Sequence, residues 1–386
     1  MPFLRRSYAE SKKLSFLEME EGMTLISCSG TIGKMAYAHP GMAGMWSSQH
    51  VMKVVPDQHK ILPGYLYAYL SSAFGIPQII SGTYGSIIQS IEPQHIENLP
   101  VPRFSLSIEK NIHDLVMDAG TLLERYQRLI NQATSRLFTK AKVDNPEPHE
   151  WFTDSSDLGF SVRSSELKGI FRAWNHSRRV QKIYDQIQSG KWDLLGDVTI
   201  FEWLRWRKMF ERRDADPKYG IEVITQKPLF NLFPEGRWLS REYLLNHSPK
   251  YVVPDETILI AKQGTLGERE LYCRCEFITG ARMLSKAYSD HCMRIVVKPG
   301  AIHPGYLFAF LRSNAGFRIL RSLSEGAKQQ DLHWRTVPNI PIPRLSINEE
   351  NQIGDTIREA YRFRNQAVEN FIEARQKLEK VIREAD

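Results

Sequence analysis

The stretch Pro63-Gly64-Tyr65-Leu66-Tyr67-Ala68-Tyr69-Leu70 returns as Pro304-Gly305-Tyr306-Leu307-Phe308-Ala309-Phe310-Leu311. Six of the eight positions are identical, and the other two exchange Tyr for Phe. The same offset of 241 carries Asn98-Leu99-Pro100-Val101-Pro102-Arg103 onto Asn339-Ile340-Pro341-Ile342-Pro343-Arg344, Gly85 onto Gly326 and His50 onto His291. Upstream, Ile26-Ser27-Cys28-Ser29-Gly30-Thr31-Ile32-Gly33 matches Ile260-Ala261-Lys262-Gln263-Gly264-Thr265-Leu266-Gly267 at an offset of 234, so seven residues are added between the blocks in the second copy. Three blocks in one order are a tandem duplication.

Each copy predicts the same succession of elements. A β-rich run such as Thr257-Ile258-Leu259-Ile260 enters a Gly-Thr-x-Gly turn, which reads as strand, turn, strand. The Pro-Gly-Tyr-Leu block suits a helix with proline in its first turn. Leu99-Pro100-Val101-Pro102 is expected to be extended, because proline drives the residue before it out of the α region. A long periodic helix follows each Pro-Arg. Its apolar face is Ile108, Ile112, Leu115, Ala119, Leu122, Tyr126, Leu129 and Ala133 in the first copy. In the second it is Ile353, Ile357, Ala360, Phe363, Ala367, Phe371, Ala374, Leu378 and Val381, with Ser346 and Glu349 as a capping box. Such stripes sustain an antiparallel coiled coil, and the alternative is two amphipathic helices each folded onto its own domain. The expected class is α+β. Two mixed α/β domains, 1–105 and 158–344, alternate with long helices at 106–142 and 345–386, and Asn145-Pro146-Glu147-Pro148-His149 lies in a linker at 143–157.

Composition narrows the function. The 386 residues are 42% hydrophobic and 25% charged, the profile of an ordinary globular chain. The longest apolar runs, Tyr65–Leu70 and Tyr306–Leu311, are six residues each, whereas a spanning helix needs about 20. Met1-Pro2-Phe3-Leu4-Arg5-Arg6 has no apolar core behind its charges, and four scattered cysteines do not make a disulfide scaffold. A cytoplasmic protein with no membrane segment is expected. The net charge of +7 favours polyanionic partners.

The ordered motifs resemble the specificity subunits of Type I restriction–modification systems. They are the Ser29-Gly30-Thr31-Ile32-Gly33 turn, the Pro-Gly-Tyr-Leu helix, the stretch near Gly85, and Leu-Pro-Val-Pro before a long helix, each present twice. The resemblance implies two target-recognition domains held apart by two helices that pair antiparallel. It implies a non-catalytic reader of double-stranded DNA that recognises a bipartite target. Its implied partners are two DNA methyltransferase subunits and, through them, ATP-dependent restriction subunits. Divergence between the copies predicts two different half-sites. The rival reading is an orphan or decayed relative that binds methyltransferase subunits through its helices without reading DNA. Met1-Pro2-Phe3-Leu4 best matches Ile221-Glu222-Val223-Ile224, so about 60 residues of the second copy lack a counterpart and the first domain is expected to be N-terminally incomplete.

Base edges are read by polar side chains and phosphates are held by basic ones. In the Gly-Thr turns this singles out Ser27, Ser29, Thr31 and Lys34, and at the matching positions Lys262, Gln263 and Thr265. Exposed turns also drift without function. The loops after Gly85 and Gly326 add Ser86, Gln89 and Ser90, and Lys328, Gln329, Gln330, His333 and Arg335, since glutamine makes bidentate contacts with adenine. Gln49 and Arg282 are weaker candidates. In Phe201–Arg213, aromatic residues alternate with basic ones, a pattern that grips nucleic acid. Trp203, Trp206 and Phe210 are expected in the core, leaving Arg205, Arg207 and Lys208 as phosphate contacts. No catalytic residue, metal ligand or cofactor is expected. Asn145-Pro146-Glu147-Pro148 lacks the second proline and aromatic of an adenine methyltransferase motif, there is no phosphate-binding Gly-x-x-x-x-Gly-Lys loop, and Cys273-x-Cys275 has the wrong spacing for zinc.

Overall fold

The computed structural model describes residues 6–85, 90–164, 167, 171–206 and 211–385. The chain divides into two compact units, residues 1–128 with 362–386, and residues 129–361. Both long helices are therefore shared, each giving one stretch to each unit. The architecture is mixed α+β, with the long helices in contact.

In the first unit β1 (Thr24–Ser27) runs antiparallel between β2 (Met35–Tyr37) and β3 (Val51–Val54). Helices α1 (Pro63–Leu70) and α2 (Gly75–Ser81) follow, and then α3 (Leu106–Ala141), whose 36 residues run roughly 54 Å at 1.5 Å per residue. Met19, Met23, Leu25 and Ala38 are buried together, with Met42 and Met45 filling around them. Methionine suits this role because its unbranched thioether adapts to irregular gaps.

The second unit opens with α4 (Arg178–Gln188), β4 (Trp192–Leu194), β5 (Gly220–Ile224) and β6 (Arg237–Ser240). The repeated part comprises β7 (Thr257–Ala261), β8 (Gln263–Gly264), β9 (Cys275–Ile278), β10 (Ala287–Tyr288), β11 (Cys292–Ile295), α5 (Pro304–Leu311) and α6 (Asn314–Ser322). It closes with β12 (Ser324–Glu325), β13 (Gln330–Leu332), β14 (Pro341–Pro343) and α7 (Ile347–Ala385, 39 residues). The strands form sheets β11-β7-β9, β10-β5-β6, β12-β13-β8 and β14-β4.

The repeat is conserved down to register. Thr24 faces Val54 and Ser27 faces Val51, while Ile258 faces Ile295 and Ala261 faces Cys292, the same pairs moved by the two offsets read from the sequence. On the other side of the central strand Tyr37 faces Thr24 and Phe277 faces Ile258. One edge differs. In the second unit β10 pairs parallel with β5, whereas the first-unit equivalent of Ala287, Trp46, makes an antiparallel bridge to Glu18. The expected counterpart of β5, Met1–Leu4, lies outside the described residues.

The Pro-Gly block must lie backbone to backbone on a long helix. A Cβ on Gly64 would sit 2.7 Å from the His113 carbonyl oxygen, and one on Gly305 would sit 2.5 Å from that of Gly354. Tyr65 then donates its hydroxyl to the Pro102 carbonyl at 2.6 Å, and Tyr306 to that of Pro343 at 2.7 Å, tying each helix to its Leu/Ile-Pro segment. An imidazole fills the same space in both units but comes from different chain positions. In the first, His113 on α3 accepts the Gly64 N–H at 3.0 Å, beside Leu62. In the second, His303, at the position equivalent to Leu62, accepts the Gly305 N–H at 3.1 Å. Its partner on α7 must be Gly354, since a Cβ there would lie 1.9 Å from the His303 ring. Burial lowers the pKa of both imidazoles, keeping Nδ1 free to accept.

The Pro-Arg that opens each long helix is also explained. Arg103 grips Glu109 through two bonds of 2.8 and 2.9 Å, and the Phe104 N–H adds a third at 2.9 Å. Arg344 and the Leu345 N–H do the same for Glu350, so the acid that reaches back is Glu350. The expected capping box is only half present. Ser346 accepts from the Glu349 N–H at 3.3 Å, while the Glu349 carboxylate turns to Arg136 and Lys140 of α3. Within the second unit Arg136 meets Gln352 while Lys140 meets Glu349, and within the first Asn111 accepts from Lys377 at 2.9 Å while Arg125 lies over the Phe363 ring at 5.8 Å, so the pair runs antiparallel in each. Buried on α7 are Ile353, Ile357, Ala360, Ala367, Phe371, Ala374 and Leu378, with Arg364 rather than Phe363 in the gap. On α3 the buried apolar set is Ile112, Val116, Ala119, Ile130, Ala133, Leu137 and Phe138, so Leu115, Leu122 and Leu129 flank the stripe rather than fill it. The expected linker includes a helix, Pro148–Thr153, and Asn145 caps α6 through the Ala315 N–H at 2.9 Å.

Two consequences are measurable. His113→Gly is expected to lower first-unit stability by about 1–3 kcal/mol through a lost cap and a cavity. Adding Leu62→His to that variant moves the ring to its second-unit position and restores most of the loss, whereas Leu62→His alone destabilises. A double-mutant cycle on denaturant midpoints checks the coupling. Separately, Arg103 holds the Glu109 carboxyl below its ordinary range. A depressed folded-state value stabilises above the unfolded pKa of about 4.3 and is lost as pH falls through the folded value. Glu109→Gln should cost about 1–2 kcal/mol at neutral pH, at the low end because Arg103 is half exposed, and should remove that part of the acid dependence of unfolding.

Candidate nucleic-acid interface

The turn after β1 is a closed frame. Ser27 N–H donates to the Lys34 carbonyl at 2.9 Å, Lys34 N–H donates to Ser27 Oγ at 3.0 Å, and Gly33 N–H donates to the Ser27 carbonyl at 3.1 Å. Gly30 and Gly33 sit at φ of 77° and 80°, conformations glycine adopts without a Cβ penalty. This leaves Thr31 and Lys34 exposed and Ser27 and Ser29 half-exposed. Ser29 bridges to Ser90, which also bridges to Tyr84, so the Gly-Thr turn and the segment after Gly85 meet. Cys28 N–H donates to the His50 carbonyl at 3.0 Å and brings the exposed Gln49 to the same end. Ser86 and Gln89 lie outside the described residues.

The second unit repeats this convergence position for position. Gln263 pairs with Asp331, Asp331 pairs with Glu325, and Lys262 N–H donates to the His291 carbonyl at 3.1 Å. Two loops that sequence could only propose separately therefore form one surface in each unit. Thr265, Lys328 and Gln329 are exposed on it. Gln263 is half-buried, and its Oε1 lies 2.5 Å from His291 Nδ1. Lys262 and Gln330 depart from expectation. Lys262 is 5% exposed at the end of the β7–β11 pair. Gln330 is 3% exposed, its Oε1 accepts from Arg172 at 3.0 Å and its Nε2 donates to the Ala327 carbonyl at 2.5 Å. Adjacent residues on an extended chain face opposite ways, so Gln329 points out where Gln330 points in. Arg282 is exposed on the short helix Ala281–Leu284, outside the β8–β13 pairing.

Sequence reasoning missed the side chains that hold this surface. Arg172 bonds the Ser324 and Gly326 carbonyls at 3.2 and 2.9 Å, and Asn175 bonds those of Ser322 and Ser324 at 2.7 and 2.9 Å. Most residues added in the second copy extend the loop between Gly267 and Cys275. Two buried arginines of α6 pin it. Arg318 forms a bidentate pair with Glu268 at 2.6 and 2.7 Å, and Arg321 bonds the Leu266 and Gly267 carbonyls. Burial lowers the Arg321 pKa to about 10, which leaves it charged and able to hold carbonyl oxygens. The available signal was the pair of arginines inside Asn314-Ala315-Gly316-Phe317-Arg318-Ile319-Leu320-Arg321, a helix that is otherwise apolar enough to be buried.

Among its described residues the basic–aromatic segment is helical over Phe201–Leu204. Trp203 and Trp206 pack against the apolar core, and Trp206 meets Tyr251 edge-on at 5.1 Å. Arg205 is exposed. Arg207, Lys208 and Phe210 lie outside the described residues. Burial raises the Cys275 and Cys292 thiols to about 12, so neither is a poised nucleophile. Among the described residues no group of His, Cys, Asp and Glu is placed to hold a metal ion, and no helix is long and apolar enough to cross a membrane.

The inward glutamine generates a prediction. Gln330→Ala leaves Arg172 without its side-chain acceptor and should lower the second unit's stability by about 1–3 kcal/mol. Gln329→Ala should leave it within about 0.5 kcal/mol of the parent. Thermal unfolding of the two variants separates them.

No protein-family model and no curated protein sequence matches the chain. Solved structures do. The S subunit of a Type I restriction–modification system from M. genitalium is similar over 96% of this chain and 82% of its own, at 13% identity and a TM-score of 0.38. The HsdS subunit from Thermoanaerobacter tengcongensis is similar over 94% and 81%, at 12% identity and a TM-score of 0.29. A chain from the structural description of complex assembly and conformational transition in the type I R-M system is similar over 95% and 81%, at 15% identity and a TM-score of 0.29. Over about 95% of its length, then, this chain is similar in structure to specificity subunits of Type I restriction–modification systems, at low identity and low TM-score.

Proposed function

We propose that the chain is a sequence-specific reader of double-stranded DNA that recognises a bipartite target and directs methyltransferase subunits, two per chain, and through them ATP-dependent restriction subunits, to it. The observation that carries this reading is the repeated surface. Two units share one strand register around a paired turn, and the polar residues that reach the surface there differ between them. Ser29 and Lys34 of the first turn become Gln263 and Glu268 in the second, Thr31 and Thr265 are the same, and Gln329 is exposed on the facing loop of the second unit. A shared scaffold with divergent polar tips is what reading two different short sequences requires. The excess of basic residues supplies the sequence-independent attraction to phosphates that such a reader needs. The chain itself carries out no reaction in this scheme. Its role is binding and positioning, and the methylation and cleavage belong to its partners. Residues named for DNA contact on this reading are Ser27, Ser29, Thr31, Lys34 and Gln49 in the first unit and Gln263, Thr265, Arg282, Lys328 and Gln329 in the second, with Arg205 on phosphate.

Selection from randomised duplexes, with the chain bound to its methyltransferase partner, should recover two short conserved blocks at one fixed gap. Exchanging Gln263 and Gln329 for alanine should relax one block only, by about 1–3 kcal/mol per lost base contact. Recovery of no common sequence would overturn the reading. Relaxation of both blocks together would remove these residues from the contact set.

A further inference from the structure

Three residues beyond Gln330 the chain turns through His333, Trp334 and Arg335, immediately after the strand that pairs with the Gly264 turn. The Trp334 ring has the Arg335 guanidinium 5.2 Å from its centroid and the Arg205 guanidinium 5.5 Å from it. The edge of Phe201 closes one side at 5.6 Å, and the His333 ring lies tilted at 5.4 Å. Both arginines are exposed, and among the described residues neither is in an ion pair. Two guanidinium groups over one indole are no further apart than the sum of those two distances, and like charges so placed repel. An anion lying between them relieves that repulsion. The indole also restricts both arginine side chains, so less rotamer freedom is lost when they grip a ligand.

Among the described residues the first unit has no such feature. Its equivalent of His333-Trp334-Arg335 is Glu92-Pro93-Gln94, where the carboxylate is engaged by the Tyr84 hydroxyl. The sign of the charge therefore reverses at a point directly beside the register the two units share. Resting on the DNA-binding reading above, we propose that Arg205, Trp334 and Arg335 form a backbone clamp for duplex DNA that belongs to the second unit alone. The two arginines hold phosphates and Trp334 positions them, so the electrostatic hold on the target is unequal between its two halves.

The salt dependence of binding tests this. The full chain is titrated onto a long mixed-sequence duplex over a range of salt concentrations, and the slope of log affinity against log salt is measured. Each phosphate contact contributes about 0.9 to that slope on duplex DNA. Arg205→Gln and Arg335→Gln should each lower it by about 0.9, and the double variant by about 1.8. Both changes keep the side chains long and Trp334 in place, so folding is not at risk. Trp334→Ala should weaken binding to all duplexes while retaining most of the slope, because the charges remain but are no longer held, and Trp334→Phe should recover part of that loss. A wild-type chain that binds duplex DNA while the double variant keeps the full slope overturns the clamp and leaves the DNA reading standing. A wild-type chain that binds no duplex at any salt overturns both.

Discussion

Each unit depends on a close approach between two helix backbones. Gly64 and Gly305 bring the short helices α1 and α5 against the carbonyls of the long helices, at distances where any Cβ would collide. That contact leaves the first N–H groups of the short helix facing an interior, where water does not serve them. An imidazole Nδ1 supplies the missing acceptor in both units. The solution is spatial rather than positional. The ring stands on the long helix in one unit and on the residue before the short helix in the other, and the vacated position is Gly354 in the second case.

From that junction the rest of each unit follows by short steps. The short helix presents Tyr65 or Tyr306, whose hydroxyl fixes the proline segment, and the arginine after it fixes the start of the long helix through Glu109 or Glu350. On the other side, α5 packs Phe308 against Phe277 of β9 at 5.3 Å and Tyr361 of α7 at 5.6 Å. In the first unit Tyr67 does the same between Tyr37 and Phe371, at 5.6 and 5.4 Å. The three-stranded core sheet is thus oriented by the short helix, and its turns are carried on a rigid frame. On the proposed DNA-reading role, rigid support is what lets such a loop discriminate between base edges.

Divergence between the units is concentrated where that frame ends. The second copy lengthens the loop between Gly267 and Cys275 and holds it with Arg318 and Arg321. The first has Ile80 at the position of Arg321, and Gly33 packs there instead. Arg294, fully buried at the position of Lys53, bonds four backbone carbonyls and lies against the Trp206 ring at 4.6 Å. Burying a guanidinium is costly unless its donors are met, and carbonyls that lack strand partners meet them. Five basic residues of the second unit, Lys262, Lys286, Arg294, Arg318 and Arg321, are thus buried rather than offered to solvent.

The duplication, the two offsets, the short helix, the extended proline segment and the extent of both long helices were legible in the sequence. Each is a local signal, whether a repeated block, a proline that restricts its neighbour, or an apolar period. So was the division of Phe201–Arg213 into core tryptophans and an exposed Arg205. Tertiary structure alone decided the rest. That the Gly-Thr turn and the Gly326 loop share one surface depends on a two-residue pairing between β8 and β13, separated by more than sixty residues of chain. That Gln330 faces inward while Gln329 faces out depends on Arg172, remote in sequence and without a periodic signal. The buried face of α3 runs through Val116 rather than Leu115 because the short helix α1 packs there, where a Cβ on Gly64 would lie 3.0 Å from the Val116 side chain, and the apolar pattern alone does not select which edge of a wide stripe is covered. Local propensity is written in neighbouring residues, but which polar groups remain free is settled only once distant segments have claimed their partners.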